Sequence, residues 1–520
     1  MKIKSVYFFV LLTVIFSLLK IDYRFNEIPY GLEVDDAEYY YSAATIGLDF
    51  DLDFSNQMEG VENRYLNKEV KKVVPFHPIG SGILSSPFIF FGNIFDKAFG
   101  NSELVSSVYF LYSISPIFYL VVSILFIQNS MKSLKIPYNK SLLILSIFGT
   151  GISFYAFDRF SMSHVYEVFA TACLIYLSTK SIEFRKHNKV KYINFIIGFL
   201  MFLFLTIRWI NYLFFIIPMI IYFISNVSLK DFYTKASFCF GLISGLFLFL
   251  LHTKYLYGIY TLNQAPILLS IENSFSDNYS RFFDTSMFLE NIVFIIDGVR
   301  IILFSQEFGI FFFAPILFLS VILFMNTIIN KNYLLTLILI FTYSVPLISV
   351  VVTQNTAFSY GYRYLYVLIP INIILYFKYL HNYSIIKNYL YVFSIIGFLL
   401  YLFFETTEAT SLSNDYVINS FGMNTRYANP EYLSGLFDAL FMKNAYMHII
   451  FTSFLGVLII KFLNIFIDPI ELFSNFIEIS PEILNLVTNS IKFSWYKLLF
   501  LYLLIPYLFF LVVRKKTSYD

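Results

Sequence analysis

The sequence predicts an all-α polytopic membrane protein with about twelve or thirteen transmembrane helices, each needing ~20 apolar residues. Hydrophobic residues make up 58% of the chain and charged residues only 13%. A soluble protein of 520 residues would expose far more Lys, Glu and Asp. The apolar residues also occur in long runs, without the period-two alternation of barrel strands, so the spans are predicted to be helical.

The N-terminal region sets the predicted orientation. An apolar run over roughly residues 6–19 follows a basic start and lacks a small-residue cleavage site, which favours a signal anchor. Because basic residues favour the cytoplasm, residues 20–100 are expected to lie outside. Lysine-rich connections near residues 132–140 and 180–191 agree with this orientation. The span count places the basic residues 514–516 outside, whereas the charge rule places them inside, and this conflict stays open.

Three regions are predicted along the chain. Residues 1–404 form a membrane core that includes the external loop 20–100, residues 405–445 form a second external loop, and residues 446–520 add membrane segments of unknown role. The net charge of +2 without blocks of like charge argues against a nucleic-acid partner. Both cysteines lie in apolar runs, which predicts neither a disulfide framework nor a metal site.

The first external loop gathers seven carboxylates between Glu33 and Asn56, and the adjacent pair Asp35-Asp36 is its chemical candidate. A nearby like charge and partial desolvation raise the pKa of one carboxyl, which suits a general base that removes a hydroxyl proton. The tyrosines of the following "AEYYYSAA" are expected to hold the segment at the membrane interface, where this residue type is favoured.

The later acids Asp49, Asp51 and Asp53 alternate as in a calcium loop, but the pattern fails. An EF-hand loop needs Gly at its sixth position and Glu at its twelfth, where this chain has Phe54 and Gly60. A solvated surface and a functional role both stay open for these acids. The segment Phe76–Phe95 is apolar but interrupted by Pro and Gly, which predicts a helix lying in, or dipping into, the interface.

These stretches together resemble the membrane-embedded glycosyltransferases of the GT-C fold, such as the protein O-mannosyltransferases, the aminoarabinose transferases and bacterial family 39-like enzymes. Such enzymes carry an acidic pair, aromatic residues and a small residue in the first external loop, as in "DDAEYYYSA". The following "LDFDLDFSN" and "HPIGSGILSSPF" are similar to bacterial members. Four later stretches fit the same pattern in order: "SMSHVYEVF" (Ser161–Phe169), "TIRWINYLFFIIP" (Thr206–Pro218), "SQEFGIFFFAPILF" (Ser305–Phe318) and "SYGYRYLYVLIP" (Ser359–Pro370).

The resemblance implies an inverting glycosyltransferase that moves a sugar from a polyprenyl phosphate to a hydroxyl of a glycan, lipid or protein acceptor. Asp35 falls on the family's catalytic aspartate and is expected to be the general base. Asp36 would orient it or the acceptor, or instead help to hold a divalent metal ion; the resemblance implies no certain cofactor. The expected substrate-binding residues are Arg363, Arg208, His164, Tyr39, His77, Glu307 and Tyr362.

Simpler interpretations stay open for several of these residues. Arg208 would place its charge at the membrane interface, and Arg159 would pair only with Asp158. His164 would be a structural residue held by hydrogen bonds. Glu307 would cap a helix. Two other functions also stay open, namely a lipid or polysaccharide transporter or flippase without chemistry, and a protein like the O-antigen ligases or polymerases. The composition is typical of an AT-rich bacterial genome, so the expected location is the bacterial plasma membrane, with the site on its external face and membrane lipid around it.

Overall fold

The part of the chain described by this computed structural model is mostly helical. The predicted N-terminal anchor, the second external loop and nearly all of the C-terminal segments lie outside the described residues. The structure describes residues 35–59, 65–67, 70–99, 106–157, 159–209, 211–228, 235–262, 296, 299, 302–303, 310–353, 363–380, 384–405 and 462–469.

A two-stranded antiparallel sheet between α1 and α2 pairs Leu66 with Val73 and Asn67 with Lys72, and it was not predicted. The elements are α1 (Asp35–Ala44), β1 (Leu66–Asn67), β2 (Lys72–Val73), α2 (Gly80–Phe99), α3 (Ser107–Ser133), α4 (Lys140–Phe148), α5 (Ile152–Phe157), α6 (His164–Glu183), α7 (Val190–Leu203), α8 (Ile217–Ile224), α9 (Ala236–Tyr257), α10 (Ile310–Phe313), α11 (Leu319–Ile329), α12 (Tyr333–Thr353), α13 (Ile369–Leu375) and α14 (Ser384–Glu405).

Two helices among the described residues, α3 and α9, are long and apolar enough to cross a bilayer. This supports an association with membrane, and the predicted count of spans stays a prediction. Several other apolar helices are shorter because 3₁₀ turns or glycines interrupt the chain. One such interruption separates α4 from α5, where Gly151 takes a φ of 78°. That conformation is accessible to glycine at little cost and ends the helical ladder.

Helix α2 covers the segment predicted to be interfacial, and the helical part of that prediction is confirmed. Its inner face carries small residues that allow close approach of the neighbouring helices. A Cβ on Gly82 would lie 2.6 Å from the Ser42 Cβ of α1, and one on Gly92 would lie 2.6 Å from the Val108 Cα of α3. Its outer face exposes five large apolar side chains, namely Ile83, Phe91, Ile94, Phe95 and Phe99.

Contrary to the prediction from the sequence, the tyrosines of α1 do not lie at a surface. Tyr39 and Tyr41 are buried, and the Tyr40 ring stacks on Tyr109 of α3 at 5.3 Å between centroids. Tyr40 also meets Tyr112 of α3 edge-on at 5.2 Å. The tyrosines therefore pack against other helices instead of lying at a surface, because paired aromatic rings bury a large area with favourable geometry.

Helices α7 and α9 pack with almost no side-chain layer between them. Gly241 and Gly245 of α9 face the backbone of Phe195 and Phe199 of α7, and Gly198 of α7 faces Phe238 of α9. A small residue at every fourth position lets two helix backbones approach each other closely. The outer face of α9 exposes Phe240 and Phe247.

Three irregular segments interrupt the helical core. They are the connection at residues 159–163 before α6, the turn at 207–211 after α7, and the 3₁₀ turn Arg363–Leu368 before α13. Each carries an arginine that is at most 9% exposed. Irregular backbone deep inside an apolar protein survives where polar groups satisfy one another. The three segments meet near the start of α6, where Arg208 contacts Ser163 and Arg363 contacts Met162.

Candidate functional site

The site is built around a buried ion pair between α1 and the segment before α6. Asp36 is fully buried, and its Oδ2 accepts hydrogen bonds from Arg159 Nε at 2.9 Å and Arg159 Nη2 at 2.7 Å. Burial lowers the pKa of Arg159, but the Asp36 carboxylate outweighs that effect and raises it above its usual value. Two hydrogen bonds from a guanidinium, which stays charged in proteins, favour the ionised form of the Asp36 carboxyl. The alternative in which Arg159 pairs only with Asp158 is wrong.

Glu38 lies two residues after Asp36 in α1 and attaches this helix to the segment that precedes α2. Its Oε2 accepts hydrogen bonds from the backbone N–H groups of Phe76 (2.9 Å) and His77 (3.1 Å) and lies 2.9 Å from His77 Nδ1. The ring of Tyr39 lies 5.1 Å from the His77 ring. His77, a predicted substrate contact, is thus held beside α1 by a carboxylate that the sequence analysis did not single out.

Glu167, in the first turn of α6, is a second carboxylate that the sequence analysis missed. It is fully buried and carries four hydrogen bonds. Its Oε1 lies 3.1 Å from both His164 Nδ1 and Arg208 Nη1 and accepts from Ser163 Oγ at 3.0 Å, while its Oε2 accepts from Asn211 Nδ2 at 2.7 Å. A carboxylate satisfied in this way joins α6 to the 207–211 turn and is poorly placed to act as a base.

Arg208 is therefore not a snorkelling surface residue. It is 9% exposed, pairs with Glu167 and lies with its Cζ 4.0 Å from the centroid of the Tyr364 ring. Burial lowers the pKa of Arg208, but the Glu167 carboxylate outweighs it and raises the pKa above its usual value. This arginine keeps its charge inside the protein because a carboxylate compensates it.

Arg363 completes the group and also contacts Tyr364. Its Cζ lies 5.3 Å from the centroid of that ring, its Nη2 donates to Tyr364 Oη at 3.5 Å, and its Nη1 lies 3.7 Å from Met162 Sδ. Arg159 and Arg363 are close enough to repel each other. We call the joined set the polar cluster; its members are Asp36, Arg159, His164, Glu167, Arg208 and Arg363.

The polar cluster joins residues that are far apart in the chain. Asp36 and Arg159 are 123 residues apart, and Met162 and Arg363 are 201 apart. Of the predicted site residues, the structure brings Asp36, His164, Arg208 and Arg363 into the cluster and places Tyr39 and His77 beside it. Asp35 is the first residue of α1, and its side chain lies outside the described part of the structure. Glu307 and Tyr362 also lie outside the described residues.

The acidic run after α1 lies apart as an exposed turn. Asp49 Oδ2 accepts from Asn56 Nδ2 at 3.0 Å and from Gln57 Nε2 at 2.6 Å. Hydrogen bonds from the Ser55 hydroxyl and backbone N–H lower the pKa of Asp53. Within the described residues, no three His, Cys, Asp or Glu side chains are grouped as metal ligands.

Comparison with known proteins adds no relative to these observations. No family model, no curated protein and no solved structure matches this chain. The chemistry of the polar cluster is therefore argued from its own residues and from the motif resemblance of the sequence.

Proposed function

We propose that the protein is an inverting membrane glycosyltransferase of the GT-C type. The polar cluster carries this proposal: Asp36 at the acidic start of α1 pairs with the buried Arg159, and two further buried arginines, Arg208 and Arg363, share the Tyr364 ring in the same cluster. The donor is a sugar on a polyprenyl phosphate, the acceptor is a hydroxyl of a cell-envelope glycan, lipid or protein, and the site faces the external side of a multi-span protein.

In the proposed reaction the acceptor oxygen attacks the anomeric carbon from the face opposite the phosphate. The new C–O bond forms as the bond from the anomeric carbon to the phosphate oxygen breaks, so the configuration inverts. The acceptor proton passes to Asp35, and the electron pair of the broken bond leaves with the polyprenyl phosphate. Proton removal by a positioned carboxylate contributes typically 10²–10⁴-fold to such a step.

Asp36 takes the orienting role in this scheme. Its carboxylate is already bound by the Arg159 guanidinium, which stabilises the ionised form and makes it a weak base. The same guanidinium makes Asp36 a poor ligand for a divalent cation, because two cations would compete for one carboxylate. We therefore propose that Asp36 and Arg159 together fix the start of α1 and with it the position of Asp35.

Arg208 and Arg363 are proposed to stabilise the leaving phosphate. Their guanidiniums lie against the same Tyr364 ring, so that an anion beside this ring would meet both. Guanidinium groups match phosphate oxygens through paired hydrogen bonds, and charge that develops on the leaving group is stabilised by cations already in place.

Replacing Asp35 with asparagine is expected to abolish transfer of the sugar while binding of the lipid donor persists, because the amide cannot accept the proton. The measurement is transfer from radiolabelled polyprenyl-phosphate sugars in membrane vesicles, with donor binding measured in parallel. Asp51→Asn is the matched control, since Asp51 is an exposed acid of the same region.

Full transfer activity in Asp35→Asn would contradict the proposed base. Lipid movement across vesicles that continues equally in wild type and Asp35→Asn, without any transfer, would instead favour a flippase. Transfer of a preassembled glycan rather than a single sugar would favour the ligase or polymerase alternative.

The multi-span arrangement is tested at the exposed face of α9. In a variant without native cysteines, Phe247→Cys is expected to resist a hydrophilic maleimide in membrane vesicles and to react after denaturation in detergent. Phe247 is 60% exposed in the structure, so the protein itself would not shield a cysteine at this position. A thiol reacts as the thiolate, which forms in water and not in lipid, so slow labelling would indicate a lipid-covered face. Tyr260→Cys, just beyond the end of α9, is the control that should label in permeabilised vesicles. Rapid labelling at position 247 in intact membranes would show that water covers this face.

A further inference from the structure

His164 has a ring nitrogen with no hydrogen-bond partner in the described part of the protein. The side chain is fully buried, Nδ1 lies 3.1 Å from Glu167 Oε1, and Nε2 has no partner. Buried polar atoms are nearly always satisfied by protein, water or ligand. An unsatisfied buried nitrogen on a ring that contacts Glu167 and Arg208 therefore points to a group that binds there.

Glu167 determines what kind of group this nitrogen can bind. An ionised carboxylate only accepts hydrogen bonds, so Nδ1 must carry the proton. Arg208 Nη1 lies 3.4 Å from Nδ1 and 3.1 Å from Glu167 Oε1, so both donors converge on the same oxygen. A protonated imidazole would place a second buried cation beside Arg208, which burial disfavours. The ring is therefore neutral and its Nε2 is a bare acceptor.

The surroundings of the ring place this acceptor inside the proposed binding region. The imidazole meets Tyr155 edge-on at 4.8 Å between centroids and Tyr364 edge-on at 6.0 Å. Tyr364 is the ring that Arg208 and Arg363 also contact. A ligand whose phosphate lies at the two guanidiniums would therefore carry its neighbouring hydroxyl groups toward the His164 side of the cluster.

We propose that His164 Nε2 accepts a hydrogen bond from a hydroxyl group of the bound ligand and that Glu167 is the positioning residue that keeps this nitrogen an acceptor. The assignment of the hydroxyl to a lipid-linked sugar rests on the proposed function. A site built in this way selects for a donor group at one position, because a ligand lacking that hydroxyl leaves a buried acceptor unpaired. The same arrangement of carboxylate, Nδ1–H and exposed Nε2 orients histidines in many metal and hydrolase sites.

The tautomer is measured directly by nitrogen NMR of the full-length protein labelled with ¹⁵N-histidine. His164→Gln assigns the resonances; if that variant does not fold, single substitutions of the other histidines assign them by elimination. We expect a protonated Nδ1 and a bare Nε2 in wild type. In Glu167→Gln, whose amide both donates and accepts, the preference for this tautomer should be lost. A protonated Nε2 in wild type, or an unchanged tautomer in Glu167→Gln, overturns the proposal.

Ligand contact is tested on the same sample with farnesyl phosphate-linked glucose and mannose as probes. The Nε2 resonance of His164 should move on binding, and removal of the contacted hydroxyl from the probe should weaken binding about tenfold or more in wild type but not in Glu167→Gln. His187→Gln, an exposed histidine beyond the far end of α6, is the matched control and should change neither result.

The two proposals fail separately. A shifted Nε2 resonance without sugar transfer supports the acceptor and counts against the glycosyltransferase. Transfer with an Nε2 resonance that stays in place supports the enzyme and overturns the role of His164.

Discussion

Arg159→Ala is expected to destabilise the protein by about 3–5 kcal/mol, because it removes the guanidinium from a buried carboxylate. Water cannot replace the lost guanidinium, because the Asp36 side chain has no solvent contact. Two of the hydrogen bonds to its Oδ2 come from Arg159. Exposed pairs behave differently, since water replaces the missing partner and the typical cost is only about 0–1 kcal/mol. Thermal unfolding in detergent, followed by far-ultraviolet circular dichroism, measures the difference.

A paired replacement separates stability from function. Asp36→Leu combined with Arg159→Met keeps the volume and removes both charges, and such exchanges are often neutral or stabilising. We therefore expect the double variant to recover most of the stability lost in Arg159→Ala while sugar transfer stays absent, because the start of α1 loses its charged orienting group.

The matched control is the exposed ion pair of Lys180 and Glu183 at the end of α6, whose atoms are 2.6 Å apart. Lys180→Ala should change stability by less than about 1 kcal/mol. Equal losses in Arg159→Ala and Lys180→Ala would show that the Asp36 carboxylate reaches water. Full transfer activity in the double variant would remove Asp36 from the site.

The gathering of the polar cluster was predictable in part from the sequence. Asp36, His164, Arg208 and Arg363 each interrupt or border an apolar run, and a polar side chain in such a place must find partners near the other interruptions. The sequence could also indicate which residues share a helix face. His164 and Glu167 are three apart, the spacing that places two side chains side by side, so Glu167 was within reach of sequence reasoning.

The pairing of these residues was not predictable. Asp36 and Arg159 are 123 residues apart, and nothing local indicates that α1 packs against the segment before α6. For this reason Asp158, the adjacent acid, looked like the natural partner of Arg159. The burial of the α1 tyrosines was missed for the same reason, since a Tyr-rich stretch looks alike at a membrane surface and in an aromatic core.

The predicted spans show a related limit. Hydropathy identifies apolar runs but not the breaks inside them, so α4 and α5 look like one span in the sequence and are two short helices in the structure. The break depends on Gly149 and Gly151, and Gly149 has a packing role. A Cβ there would meet the backbone of Ser394 in α14, a contact that only the three-dimensional arrangement of α4 and α14 reveals.

Gly241→Leu is expected to separate α7 from α9 and to lower stability by about 3 kcal/mol or more, at the upper end of the cost of overpacking. A Cβ at position 241 would overlap the Phe195 carbonyl oxygen and lie 2.9 Å from its carbon. These are backbone atoms of a helix, which cannot rotate away as a side chain can. Because Gly245 and Gly198 contact the opposite backbone in the same way, the helices must move apart along their length.

Gly241→Ala decides between two effects of opposite sign. Helix propensity alone predicts that alanine stabilises α9 by up to about 1 kcal/mol, whereas steric overlap with the α7 backbone predicts a loss of about 1–3 kcal/mol. The overlap should win, so that Gly241→Ala melts below wild type in detergent. Ile243→Ala is the control, because Ile243 is 63% exposed on the outer face of α9 and should change stability little. A Gly241→Ala variant more stable than wild type would mean that α7 and α9 are not in backbone contact. The close packing of these two helices would then be wrong.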